Sequence, residues 1–211
     1  MFVRLLRLKI THMIFLGIFC LGSSSVFALN DKMSLNMDDD KTPLHVTVQK
    51  ADAGEPNAQF RLGMFHYKGI GCIKNEEAAL SWFIKAADQF HLDALFTVAF
   101  FYENGIGTKA SAVKAREYYD KAAKYGHIKS QFNLGVMLYE GIGVQADIPK
   151  GLEWFRLAAE KGEARAQFRL GYAFLEGKGV DKNEALARQW FERAAAQNNA
   201  EAKQMLELMS F

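Results

Sequence analysis

The side chains best suited to chemistry in this sequence are a few histidines and cysteines. His91 and His127 are 36 residues apart, each beside a predicted turn. Two imidazoles share a zinc ion only when both nitrogens lie about 2 Å from it. Packed helices are about 8–10 Å apart, so equivalent residues of neighbouring helix pairs are too distant to share one ion. We therefore predict no metal site and no cofactor.

The catalytic motifs that a chain of this size could carry are absent from the sequence. It contains no His-Glu-x-x-His, no Cys-x-x-Cys and no Gly-x-Ser-x-Gly. Its Gly-x-Gly triplets follow predicted helices and lack the Gly-Lys-Ser/Thr ending of a phosphate-binding loop. Cys72 follows Gly71 beside a turn, and the sequence identifies no basic partner that would activate its thiol. These absences predict a protein that is not an enzyme.

The N-terminal 28 residues have the order of a secretory signal peptide. A basic segment is followed by an apolar run and then by small residues that end at Ala28. The apolar run is too short to cross a bilayer comfortably, which needs about 20 residues, although a retained anchor is the alternative. We expect cleavage after Ala28, a flexible leader over residues 29–43, and a periplasmic or secreted chain without membrane insertion. Cleavage removes Cys20 and leaves Cys72 without an internal disulfide partner.

Composition and charge exclude other classes of protein. Hydrophobic residues make up 50% of the chain and charged residues 24%, which excludes a disordered tail. The 26 Lys and Arg include three in the predicted signal peptide, which leaves 23 bases against 24 acids. A nearly neutral chain has no field for holding nucleic acid, so we predict none as a partner.

The remaining sequence repeats with a period of 36 residues. Phenylalanines, Trp/Tyr-Phe/Tyr pairs, Ala-Ala pairs and Gly-x-Gly triplets all keep this step, which is the signature of a solenoid. The glycines assigned to structural turns are Gly69 and Gly71, Gly105 and Gly107, Gly141 and Gly143, and Gly177 and Gly179. We predict four repeats over residues 56–91, 92–127, 128–163 and 164–199, within an all-α solenoid over residues 44–211 that includes a C-terminal capping helix over residues 200–210.

Each repeat is predicted to contain two helices. In the first repeat, helix A extends from about residue 57 to Lys68 and helix B from about residue 76 to 89, each with apolar residues on one face. Glycine stops helix A because it tolerates a left-handed backbone. A second glycine column, which includes Gly126 and Gly162, turns helix B into the next repeat. Phe90 stands in this column, so either that turn differs or the backbone there is strained.

The pattern A-x-F-x-L-G-x-x-x-x-x-G-x-G…W-F-x-x-A-A-x-x-G resembles the Sel-1-like repeat, a relative of the tetratricopeptide repeat. The resemblance covers about residues 58–199, and Ala99 in a glycine column is one of its departures. It implies a right-handed α/α solenoid with half-repeat caps that serves as an adaptor or scaffold for protein complexes. For secreted bacterial members it implies a role in envelope assembly, signalling or host interaction.

The predicted binding surface is a groove lined by helix A, as in tetratricopeptide repeats. An aromatic and apolar wall of this kind suits a protein or peptide partner whose side chains insert into pockets. The Phe column could instead be core. Two further functions stay open: a β-lactam-binding or hydrolysing enzyme, as implied by cysteine-rich secreted relatives, and a periplasmic regulator of a membrane sensor. The candidate groove residues are Phe60, Met64, Tyr67, Phe96, Phe100, Phe132, Tyr139, Phe168 and Tyr172.

Overall fold

The computed structural model describes residues 43–210, and the described chain consists of α-helices without strands. The predicted signal peptide and the leader up to residue 42 lie outside the described residues. From Leu44 onward the helices form one compact unit. They are α1 (Leu44–Asp52), α2 (Pro56–Lys68), α3 (Glu76–Ala87), α4 (Leu92–Asn104), α5 (Ala112–Lys124), α6 (Ile128–Glu140), α7 (Ile148–Glu160), α8 (Ala164–Glu176), α9 (Glu184–Ala196) and α10 (Ala200–Leu208).

Consecutive helices pack against each other along the described chain, most extensively within the pairs α2–α3, α4–α5, α6–α7 and α8–α9. The first helix of each pair is helix A and the second is helix B. Contacts between one helix B and the next helix A join the pairs into a stack. Helix α1 is the second half of a preceding pair, and α10 is the first half of a following one. The predicted all-α solenoid with half-repeats at its ends is confirmed.

Small residues and aromatic rings fit together inside each pair. A Cβ atom added to Gly63 would lie 2.6 Å from the ring of Phe83, and one added to Gly171 would lie 2.7 Å from the ring of Phe191. The glycine therefore lets the ring lie directly on the backbone of helix A. The second pair has Ala99 and Tyr119 at the corresponding positions, and both are fully buried.

Buried glutamines connect three of the helices A, α2, α6 and α8, to the helix B before them. The side-chain amide of Gln59 donates a hydrogen bond to the carbonyl oxygen of Ala51 at 3.2 Å. Gln131 and Gln167 repeat this bond toward the helix B residue eight positions earlier, at 3.1 and 3.0 Å. Each of these carbonyls also accepts a hydrogen bond from a backbone amide of the turn, as Ala51 does from Gly54 at 3.0 Å, so the glutamine adds a second hydrogen bond that links the two helices.

Side chains cap the helices at both kinds of start. Polar residues before helix B accept a hydrogen bond from the third amide of the helix, as Asn75 does from Ala78 at 2.9 Å. Before helix A, His91 Nδ1 accepts from the amide of Ala94 and His127 Nδ1 from that of Ser130, both at 3.2 Å. The two histidines therefore have a structural role in the described chain.

The turn between helix B and the next helix A requires a left-handed backbone. Gly54, Gly126 and Gly162 adopt φ values of 93°, 86° and 92° there. Phe90 stands at the equivalent position with a φ of 60°, so this turn keeps the left-handed backbone and Phe90 carries the strain. Its side chain is 56% exposed, and its ring centroid lies 5.3 Å from that of Tyr125, which is 61% exposed.

No helix within residues 43–210 combines the length and the apolar composition that a membrane crossing requires.

Candidate protein-binding surface

Five positions of each helix A lie on one side of that helix, because spacings of three, four and seven residues bring side chains together. We call this surface the A stripe. An ion pair connects the third and fourth helices A along it, with Arg169 Nη1 3.2 Å from Glu140 Oε1. The A stripe consists of Phe60, Arg61, Met64, Tyr67 and Lys68 in α2; Phe96, Thr97, Phe100, Glu103 and Asn104 in α4; Phe132, Asn133, Val136, Tyr139 and Glu140 in α6; and Phe168, Arg169, Tyr172, Leu175 and Glu176 in α8.

The Phe column belongs mainly to the core. Phe60, Phe96 and Phe132 are buried, with ring centroids 5.3–5.8 Å from the aromatic ring of the helix B in the same pair. The start of the next pair covers each ring from the other side. His91 stacks on Phe60 at 4.7 Å, His127 packs on Phe96 at 5.1 Å, and the Arg165 guanidinium lies 4.3 Å from the centre of the Phe132 ring. These three phenylalanines are therefore core residues and not part of an open groove.

Three further candidate groove residues are also buried and do not line an open groove in the free chain. Met64, Phe100 and Tyr139 are buried, because a residue four or seven positions after the core phenylalanine turns inward with it. Tyr139 packs at 5.8 Å against Phe155, and Lys178 Nζ lies 4.3 Å from the centre of its ring. Burial raises the pKa of Tyr139 to about 12. The side chains of these three residues stabilise the solenoid in the free chain.

Tyr67, Phe168 and Tyr172 are the candidates whose side chains remain partly exposed. The rings of Phe168 and Tyr172 lie 6.5 Å apart on α8. The fourth repeat keeps a partly exposed aromatic pair at the two positions that are buried in the first two repeats.

A polar group in the second repeat also lies on the A stripe, and the sequence analysis did not identify it. The buried Tyr119 hydroxyl donates a hydrogen bond to Glu103 Oε2 at 2.8 Å. The Asn133 side chain also hydrogen-bonds Tyr119. Burial raises the pKa of the Glu103 carboxyl. One signal could have indicated this group: Tyr119 breaks a column that is phenylalanine in the other three repeats.

Cys72 has a basic neighbour that the sequence analysis missed. Its Sγ lies 3.7 Å from His66 Nδ1, across the turn that follows α2. The prediction of a thiol without a basic partner is therefore wrong. Among residues 43–210, no three histidine, cysteine or acidic side chains come together in a way that could hold a metal ion.

Comparison with known families identifies the repeat. The Sel1 repeat model matches residues 56–89, 92–127, 128–163 and 164–199. The chain belongs to the Sel1-repeat family. The first matched segment ends two residues before the predicted repeat boundary, and the other three coincide with the predicted repeats.

Solved structures of Sel1-repeat proteins are similar to this chain. One is c5321, described as a protective antigen of uropathogenic Escherichia coli with an SLR fold, at 38% identity and a TM-score of 0.78 over 80% of this chain and 36% of that one. Another is a Sel1 repeat protein from Oxalobacter formigenes, at 35% identity and a TM-score of 0.72 over 79% of this chain and 48% of that one. This chain spans less than half the length of either structure.

A curated relative is the chitin synthase regulator SKT5 of Saccharomyces cerevisiae. It is 36% identical over 67 residues, which are 32% of this chain and 10% of that protein. Proteins built from Sel1 repeats generally act as scaffolds for protein–protein interactions and are typically not catalytic. A protein partner is therefore the expected ligand class of this Sel1-repeat chain.

Proposed function

We propose that this Sel1-repeat chain is an exported, non-catalytic adaptor that binds a protein or peptide segment along the A stripe. The open aromatic pair of Phe168 and Tyr172 is the observation that carries this proposal. Aromatic side chains that are partly exposed on a rigid helix provide apolar contact area at little entropic cost.

The polar side chains around this pair support binding of a segment with mixed character. Arg169 and Glu140 form an ion pair beside it, and Glu176 lies one turn after Tyr172 on the same helix. An apolar centre with a charged margin is the usual arrangement of a protein interface. We infer that an apolar side chain of the partner packs between Phe168 and Tyr172.

Photo-crosslinking tests the position of the binding surface. We would replace Tyr172 with the photoreactive p-benzoylphenylalanine and, as a matched control, replace Tyr125, an exposed tyrosine at a turn between repeats. Irradiation of cells that produce each variant should give a discrete adduct from position 172 and none from position 125. Adducts of equal yield from both positions, or from position 125 alone, would contradict the A stripe as the binding surface.

Export rests on the N-terminal sequence and has its own test. Mass spectrometry of the chain purified from its native host should find Leu29 as the first residue, in a fraction outside the cytoplasm. A chain that retains Met1 in the cytoplasm would refute export.

The catalytic alternative is tested with a chromogenic β-lactam. An adaptor should give no hydrolysis above the rate in buffer. Turnover that disappears in a Cys72→Ala variant would refute the non-catalytic assignment and would implicate the thiol beside His66.

A further inference from the structure

The second repeat differs from the others at one residue of the A stripe and at the helix B residue that contacts it. Position 119 is tyrosine where the other repeats have phenylalanine. Position 103 is glutamate where they have tyrosine or leucine. The 2.8 Å hydrogen bond between these two side chains joins α5 to α4. The two residues that differ from the other repeats therefore form one hydrogen-bonded pair. The other repeats have phenylalanine, tyrosine or leucine at these positions.

The arrangement holds a carboxylate in a fixed place on an accessible surface. Tyr119 has no exposed surface, so the surrounding side chains hold its hydroxyl group in one position. Asn133 from the next helix A also hydrogen-bonds this tyrosine, which further limits its motion. Glu103 keeps exposed surface as a residue, although the packing around its carboxyl group withdraws part of that group from water.

The Glu103 carboxylate is not neutralised by the described chain. The ion pairs among residues 43–210 involve other acids, including Glu140, Glu163 and Asp93, and none of them includes Glu103. Its partner is the neutral hydroxyl of Tyr119, and burial raises the pKa of the carboxyl group. A carboxylate that is partly withdrawn from water is stabilised by a cation that hydrogen-bonds it.

The neighbouring side chains suit a long basic residue better than a small cation. At the equivalent positions on either side of Glu103, the adjacent helices carry Tyr67, which is partly exposed, and Tyr139, whose side chain is buried. Lysine and arginine stems pack along apolar and aromatic surface while the charged group reaches a carboxylate. The A stripe thus offers apolar contacts and one fixed negative charge near its centre.

This inference rests on the proposed function of the A stripe. We propose that Glu103 binds a lysine or arginine side chain of the partner segment and thereby selects segments that combine a basic residue with apolar ones.

A peptide library tests the selection. Random dodecapeptides displayed on phage would be selected on the purified chain, on Glu103→Gln and on Glu153→Gln, a control at an exposed glutamate of α7. Peptides selected by the wild type and by the control should share one enriched lysine or arginine, and Glu103→Gln should lose this enrichment. Melting temperatures of the three proteins would establish that they are equally folded.

A double-mutant cycle then isolates the interaction. For one selected peptide, Glu103→Gln should weaken binding by about tenfold, as expected for a hydrogen bond to a charged group. Replacing the basic residue of the peptide with methionine should weaken its binding to the wild type by a similar factor, and should leave its affinity for Glu103→Gln unchanged. Tyr119→Phe, which restores the residue of the other repeats, should weaken binding by a few-fold because the carboxylate is no longer held.

The outcomes separate this inference from the proposed function. If the wild type selects peptides without an enriched basic residue, or Glu103→Gln keeps the enrichment, the role of Glu103 is refuted while peptide binding stands. If Phe168→Ala, Tyr172→Ala and Glu103→Gln all leave the affinity of the selected peptide unchanged, the A stripe is refuted as the binding surface. If only the two aromatic variants do so, the Phe168–Tyr172 pair is refuted as an anchor while the role of Glu103 stands. If no peptide is enriched on the wild type, both proposals fail.

Discussion

Gly107 in the turn of the second repeat lies directly against the carbonyl group of Glu76, the first residue of helix B in the repeat before it. A Cβ at Gly107 would also lie 2.9 Å from the amide nitrogen of Glu77. Later repeats keep this packing, with Gly143 against Ala112 and Gly179 against Ile148. The two glycines of each turn therefore have different roles: the first ends helix A, and the second lets the turn pack on the preceding repeat.

The variant Gly107→Ala should be strongly destabilised. Its φ of +63° disfavours alanine by about 1–2 kcal/mol, and the close backbone approach adds about 1–3 kcal/mol. We expect the free energy of unfolding to fall by about 2–5 kcal/mol in urea titrations. Gly162→Ala is the control, since φ is +92° there but no atom lies within 4 Å of the added Cβ. Equal decreases in both variants would show that the close approach contributes nothing.

The variant Phe90→Asn should be more stable than the wild type. Asparagine tolerates the left-handed backbone better than phenylalanine, and Asn198 adopts a φ of 63° at the equivalent position of the last repeat. The substitution removes the ring packing on Tyr125, but that packing joins two exposed side chains and stabilises the fold little. We expect a gain of about 0.5–1 kcal/mol in the free energy of unfolding. A lower melting temperature would mean that the ring of Phe90 stabilises the fold more than its backbone strains it.

The cap formed by His91 should make stability depend on pH. Its Nδ1 accepts a hydrogen bond only when the ring is neutral, and burial lowers its pKa from the ordinary 6.5, opposed by the nearby Asp93. A histidine whose pKa is lower in the folded state stabilises the fold above pH 6.5 and loses this contribution as the pH falls below it.

Thermal unfolding at pH 7.5 and pH 5 would measure this effect. The decrease in stability on acidification should be smaller in His91→Asn, because asparagine caps the helix without titrating. The same dependence on pH in the variant and the wild type would assign the effect to other groups.

Tyr139 should protect the fold at moderately alkaline pH. Burial raises its pKa to about 12, from an ordinary value of 10. A tyrosine with a raised pKa contributes stability in full below pH 10 and loses it as the pH rises toward 12. In Tyr139→Phe the fall of stability between these values should be shallower than in the wild type. The difference in absorbance at 295 nm between the wild type and Tyr139→Phe would follow the ionisation of Tyr139. An alkaline profile of stability that is the same in Tyr139→Phe and the wild type would contradict this prediction.

The repeat architecture follows from the sequence because each turn and each close approach needs a particular residue type. A left-handed helix end at Gly69 and a ring packed on the backbone of Gly63 leave little choice. Glycine therefore recurs every 36 positions in the first column, and glycine or alanine in the second. The same reasoning marks Phe90 as a poor fit. The sequence alone does not show whether the backbone of this turn changes to suit phenylalanine or stays left-handed and is strained.

The exposed surface is harder to predict than the fold. Whether a stripe phenylalanine is buried depends on the residue that the next repeat places over it, such as His91 over Phe60 or Arg165 over Phe132. A period of 36 residues does not reveal that relationship. The bond between Glu103 and Tyr119 spans 16 residues and occurs in one repeat. Periodicity marks both residues as departures from their columns but does not show that they contact each other.

The helices of the described chain pack on the helices next to them in sequence. Folding therefore requires little loop closure between distant segments, and chains with such low contact order fold rapidly. Each repeat can assemble on the one already formed, in the order in which the ribosome releases it. Partial unfolding should likewise advance one repeat at a time, because each pair of helices is held by the pairs packed against it.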